Sequence, residues 1–152
     1  MLLMSTVLSV PAFPAKAEWQ PFQIADSSAC RTAVNAVKNR LEQLKRVRVA
    51  FTSNNPHGYT RYPRNRPSEF RVALAGDGAW NVLASPVLMK TMATRVVVKC
   101  GSIGIVDFGI AQTDAGETYG LMQNGSVEKF QCLSPDDPRA DRTLQWGYTI
   151  CL

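Results

Sequence analysis

The chain has 152 residues, 45% of them apolar and 19% charged, with a formal net charge of +5 and four cysteines. That composition excludes intrinsic disorder, collagen-like repeats and a coiled coil, and no run after the first turns of the chain approaches the ~20 apolar residues of a spanning helix. What remains is a basic globular protein with the bulk of one ordinary domain.

Leu2, Leu3, Met4, Val7, Leu8 and Val10 form an apolar start, Pro11 and Pro14 interrupt it, and Ala15-Lys16-Ala17 follows. Small residues at the two positions inspected by a signal peptidase predict export and cleavage before Glu18. Residues 1–17 are then a signal peptide and residues 18–152 a single globular domain of 135 residues. The basic residue that normally opens such a signal is missing, which leaves open a start upstream of Met1. Export carries an oxidising compartment with it. Cys30, Cys100, Cys132 and Cys151 are therefore expected as two disulfides, periplasmic or extracellular. No Cys-x-x-Cys spacing occurs and His57 is the sole histidine, so neither a metal site nor a thiol redox motif is predicted.

Asp26, Ser27 and Ser28 supply helix caps, and Cys30, Val34, Val37, Leu41 and Leu44 then recur at alternating spacings of four and three. This predicts a long helix with one buried stripe, while Arg31, Lys38 and Lys45 face solvent. Val47, Val49 and Phe51 alternate as a strand. A polar loop from Thr52 to Ser68 follows, with Pro56, Pro63 and Pro67 blocking regular structure. Phe70, Val72 and Leu74 alternate as a second strand, closed by Ala75-Gly76-Asp77-Gly78. Ser85-Pro86 starts a short helix through Leu88 and Met92. Val96, Val97 and Val98 are expected as a third strand.

From Ile103 to Leu133 the pattern is a meander: Ile103 to Gln112, a turn at Asp114-Ala115-Gly116, Thr118 to Met122, a hairpin turn at Asn124-Gly125, and Val127 to Leu133. A polar loop from Ser134 to Asp141 leads to Leu144, Trp146, Tyr148 and Ile150, which alternate as a last strand. The expected fold is α+β: a curved antiparallel sheet of about six strands with one long helix packed on it and a second short helix. The meander makes Cys100 with Cys132 the least favoured pairing, because those residues sit at opposite strand ends. Cys30 with Cys100 and Cys132 with Cys151, or Cys30 with Cys132 and Cys100 with Cys151, both remain open.

The stretch from Ser85 to Leu152, with Val96-Val97-Val98, Ser102-Ile103-Gly104-Ile105, Thr118-Tyr119-Gly120-Leu121, Asn124-Gly125-Ser126-Val127 and Trp146-Gly147-Tyr148-Thr149-Ile150-Cys151, resembles small exported cyanobacterial proteins of uncharacterised function. The resemblance implies export in a bacterial setting. It brings no activity and no functional residue.

Charge placement says more about function. Arg31 to Arg71 holds ten basic and two acidic residues, a net of +8, whereas everything beyond holds six basic and eight acidic, a net of −2. A basic face of this kind attracts anionic partners with salt-dependent strength. Within it, Pro56 to Pro67 carries His57, Tyr59, Arg61, Tyr62, Arg64 and Arg66 among prolines, and Arg with aromatic rings grips phosphates, carboxylates, sugars or stacked bases. These six residues are the candidate binding set. The expected function is a non-enzymatic exported soluble binding module with no cofactor, its partner an acidic protein, an anionic envelope polymer or a membrane surface. Nucleic acid is a further anion, unsupported by any motif. The alternative is a small basic hydrolase of ribonuclease type using His57, Glu69 and Arg64 or Arg71 as imidazole, carboxylate and guanidinium. Trp80, Trp146 and Tyr148 form a third, carbohydrate-platform reading.

Overall fold

The computed structural model describes residues 27–44, 46–54, 57–140 and 144–151. The expected signal peptide, Asp26, Lys45, Pro56 and Asp141 lie outside these residues. In chain order the elements are α1 (Ser28–Glu42), β1 (Arg48–Asn54), β2 (Ser68–Ala75), α2 (Ala79–Leu83), α3 (Pro86–Lys99), β3 (Ile103–Ile110), β4 (Gly116–Leu121), β5 (Val127–Lys129), β6 (Gln131–Leu133) and β7 (Tyr148–Ile150).

The opening helix follows its sequence signals. The Ser27 side chain accepts a hydrogen bond from the Cys30 backbone N–H, and Cys30, Val34, Val37 and Leu41 are all buried along one stripe. The cap satisfies an N–H that the helix itself cannot, and the stripe gives the helix a reason to dock.

Val96, Val97 and Val98 are a correction. They belong to the last turns of α3, not to a strand. Met89, Met92, Ala93, Val96 and Val97 are buried at helical spacing, packed between α1 on one side and β3, β4 and β5 on the other. The helix-propensity cost of each valine is a few tenths of a kcal/mol, far below the gain of burying Val96 and Val97, while Val98 stays exposed. A second correction follows from the first. With a helix between them, β2 and β3 become the arms of a strand–helix–strand crossover and pair in parallel, so the sheet is mixed rather than antiparallel throughout. Its order is β1-β2-β3-β4-β5, with every other neighbouring pair antiparallel. The long helix α1 meets the sheet mainly at β1, and α3 covers its centre. A third helix, α2, fills the turn after Gly78.

The meander's last arm also divides. Phe130, 2% exposed, turns its ring into the protein and its N–H to the Thr118 carbonyl, and the strand stops there. Beyond it β6 leaves the main sheet and pairs in parallel with β7. The expected strand from Leu144 to Ile150 shortens to Tyr148–Ile150, since Gly147 at φ 95° and the Tyr148 N–H to Gln145 carbonyl bond make a turn at Trp146. That parallel pairing decides the cysteines. Cys132 and Cys151 are bridged across β6 and the end of β7, Cα atoms 5.5 Å apart, and Cys30 is bridged to Cys100 at 4.6 Å. The fold is α+β, with seven strands and three α-helices among the described residues.

Alternation of side chains gives the sheet two unlike faces. One carries Phe70, Val72, Leu74, Val106, Phe108 and Tyr119 into a single core with α1, α2 and α3. The other is crossed by two rows of paired residues. Thr52, Arg71, Asp107 and Thr118 form a polar row, and Ala50, Ala73, Gly109 and Gly116 form a row with almost no side chain.

Candidate functional site

Over the second face lies a roof made from two distant segments, residues 57–67 and 144–151. Thr60 and Gln145 form a parallel bridge: the Thr60 N–H donates to the Leu144 carbonyl and the Trp146 N–H to the Thr60 carbonyl, each at 3.0 Å. The loop is closed at its base by the His57 N–H to the Pro67 carbonyl at 3.0 Å, and Gly58, Arg61 and Asn65 adopt positive φ within it. These ties fix a segment whose composition alone predicts only the absence of regular structure.

Beneath the roof the rings of His57, Tyr59, Tyr62, Phe130 and Trp146 pack together, with His57 to Tyr62 at 4.6 Å and Phe130 to Trp146 at 5.2 Å between centroids. The strand glycines explain how they fit. A Cβ on Gly120 would overlap the Phe130 ring, and one on Gly104 would lie 2.9 Å from both the Arg66 backbone and the Trp146 ring. The Trp146 indole N–H donates to the Leu121 carbonyl at 2.8 Å. Burial pushes the Tyr59 hydroxyl's pKa up, against a lowering hydrogen bond with the Thr149 side chain.

The six candidate binding residues separate into two groups. His57, Tyr59 and Arg66 hold the roof in place. The Tyr59 N–H donates to His57 Nδ1 at 3.1 Å, so Nε2 carries the proton and donates to the Arg66 carbonyl at 3.0 Å. The imidazole then has neither a lone pair nor a proton to offer a substrate, and its pKa is lowered, first by desolvation, against raising contributions from the Arg66 hydrogen bond and the Glu69 charge. Arg66 Nη1 points among the carbonyl oxygens of Val97 at 2.6 Å, Cys100 at 2.8 Å and Ile103 at 2.9 Å, where α3 ends. A guanidinium there supplies donors to carbonyls that the helix leaves unpaired and a cation to the negative end of its dipole. Arg61, Tyr62 and Arg64 form the second group and are exposed. No carboxylate lies within 4.0 Å of either arginine among the described residues.

Glu69 is buried and engaged: it accepts from Asn54 Nδ2 at 3.1 Å and from Arg71 Nε at 2.6 Å. The hydrolase reading thus finds Glu69 and Arg71 together, with Asp107, which sequence reasoning missed, beside them. Arg71 Nε stands 3.9 Å from Asp107 Oδ2, and Thr118 donates to Asp107 Oδ1 at 2.8 Å. Burial raises the Asp107 pKa, with the Glu69 charge adding to the rise and the Thr118 hydrogen bond and Arg71 opposing it. A single carboxylate in the otherwise apolar run Ile103 to Ile110 was the available signal. The three aromatics of the carbohydrate reading do not share a platform. Trp146 is in the ring cluster, Tyr148 lies under the Arg139 guanidinium at 5.1 Å, and Trp80 stands 60% exposed on α2. Among the described residues no group of three or more His, Cys, Asp or Glu side chains is placed to hold a metal ion, and none of their helices is long and apolar enough to cross a membrane.

No protein-family model matches the chain, and no curated protein or solved structure matches it.

Proposed function

We propose that the protein is an exported binding module that engages an anionic partner through Arg61, Tyr62 and Arg64 at the crest of the roof, the positive potential of the α1 side adding attraction. The observation that carries this reading is the contrast within one loop: its inner residues are consumed in anchoring it, and its two outer arginines have no acidic neighbour among the described residues. A loop fixed in advance loses little entropy when it binds, and unpaired guanidinium groups offer forked donors to phosphate, sulfate or carboxylate. The two disulfides suit an oxidising compartment, in keeping with the apolar start and the Ala15-Lys16-Ala17 site.

The test is retention on a sulfated polysaccharide matrix across a salt series. Replacing Arg61 and Arg64 with alanine should reduce the slope of log affinity against log salt by about two. Arg95→Ala with Lys99→Ala changes net charge equally on α3 and should have a much smaller effect. Equal losses in both pairs would mean that net charge alone drives retention, and the loop reading would fall.

A further inference from the structure

A second site stands apart from the arginines of the roof. Along β4, Gly116 and Glu117 precede the first residue paired with β5, so the chain has a free edge there. A cleft of about 450 Å³ straddles that edge. Trp80 and Leu83 of α2 form its apolar side, and Asp107, Thr118 and Thr149 its polar side, with Gly109 and Gly116 between. Its volume is in the range of small-ligand sites.

Each part of the lining has a distinct chemical consequence. The two glycines belong to the row without side chains, so the floor beside Asp107 is low and flat. Trp80 exposes 60% of its surface, although a ring of that size is normally covered. Across the sheet edge from it are hydrogen-bond acceptors: the Asp107 carboxylate and the hydroxyl oxygens of Thr118 and Thr149, whose protons are already given to Asp107 and Tyr59. Asp107 already has one oxygen bound by Thr118, which fixes its orientation and leaves the other toward Arg71 at 3.9 Å, longer than a hydrogen bond. Asp114 and Glu117 add negative charge to the rim, and only Glu117 has a close cation, Lys129 at 2.6 Å.

We propose that this cleft binds a pyranose unit of a short glycan, its C–H face against Trp80 and its hydroxyls toward Asp107, Thr118 and Thr149. A flat aromatic surface, an apolar neighbour and a set of acceptors along the same cleft match a ring that is apolar on its faces and carries hydroxyl donors around its rim. The acidic lining sets the charge preference: neutral sugars enter, amine-bearing sugars gain from Asp114, and uronic acids are repelled. The site is independent of the anion-binding crest, and either can fail without the other.

The experiment titrates the full mature chain with cellotriose, glucosamine trimer and galacturonic acid trimer, followed by saturation-transfer NMR. The expected order of affinity is glucosamine trimer, then cellotriose, with no saturable signal from the acid. Trp80→Ala should weaken cellotriose about tenfold. Gly109→Ile offers a second block, because a Cβ at Gly109 meets only the Ala115 carbonyl, at 3.7 Å, and the branched side chain extends into the cleft. It should abolish binding while thermal unfolding stays cooperative and near the parent temperature. Absence of saturable cellotriose binding overturns the proposal, even if the amine trimer binds, since charge attraction alone would explain that result. Cellotriose binding undiminished in both variants overturns it too.

Discussion

The two faces of the central sheet are closed in different ways. Under the helices, large apolar side chains meet large apolar side chains: Phe70, Leu74, Val106 and Phe108 are fully buried, and Cys30–Cys100 ties α1 to the end of α3. Under the roof, the sheet gives up side chains at Gly104 and Gly120 so that rings from irregular segments can approach it, and Cys132–Cys151 ties those segments down. The first closure fills space with apolar side chains. The second leaves a polar row, a low shelf and a cleft, which is where a ligand can reach backbone and side-chain donors. The hydrophobic core and the polar row thus lie on opposite sides of the same five strands.

The contrast breaks most sharply at the disulfides. Cys30→Ser with Cys100→Ser opens a loop with a sequence separation of 70, and loop-closure entropy predicts a loss of about 4 kcal/mol in global stability, read from urea unfolding. Cys132→Ser with Cys151→Ser opens a separation of 19, worth about 3 kcal/mol on the same basis. Its signature should differ: the Thr60 and Trp146 amides should exchange with solvent early while those of Val72 and Phe108 remain protected. Simultaneous loss of protection on both faces would show that they do not open separately.

A smaller effect sharpens the division inside the roof. Arg66→Ala removes the side-chain donor from the Val97 and Cys100 carbonyls at the end of α3, leaving Cys100 only the Ile103 N–H, and should cost about 2 kcal/mol in urea unfolding. Arg64→Ala, two residues away and exposed, should stay within about 0.5 kcal/mol. Matching losses would erase the distinction between anchoring and free arginines.

The smallest expected effect is a pH dependence confined to the roof. The folded-state pKa of His57 lies below its ordinary 6.5, so the unfolded chain takes up a proton first as pH falls. Stability contributed at neutral pH is therefore lost progressively from about pH 6.5 down to the folded value, and is constant below it. Protonation also removes the acceptor for the Tyr59 N–H. Thermal midpoints at pH 7.5 and 5.5 should differ less in His57→Gln than in the parent chain, and an unchanged difference would place the titration elsewhere.

What could be read from residues alone was the local part. Ser27 and the stripe from Cys30 to Leu41 specify α1 without reference to anything distant, and Asn124-Gly125 specifies its hairpin in the same way. Val96 to Val98 could not be read so, because three consecutive β-branched residues favour a strand locally and only the burial of Val96 and Val97 between α1 and the sheet makes the segment helical. The parallel pairing of β2 and β3 was lost with them. The roof loop announced itself by composition, but Arg64 and Arg66 look equivalent in sequence. Their fates diverge because one of them meets the end of a helix whose final carbonyls come from residues 97 and 100. Asp107 was missed although it is a charge in an apolar strand, and its neighbours Arg71 and Thr118 come from register that spacing does not reveal.

The Thr60–Gln145 bridge imposes an order on how the molecule is completed. Every strand of the main sheet and all three α-helices lie before residue 130, so the hydrophobic core can assemble from that part of a chain emerging N-terminus first. The arginine-bearing loop cannot take its final shape then, because its second backbone partner has not yet appeared. Such long-range closure is slow relative to local contacts. The roof is consequently the last part to form, and a chain stopped before residue 144 would retain most of its core and lack that cover.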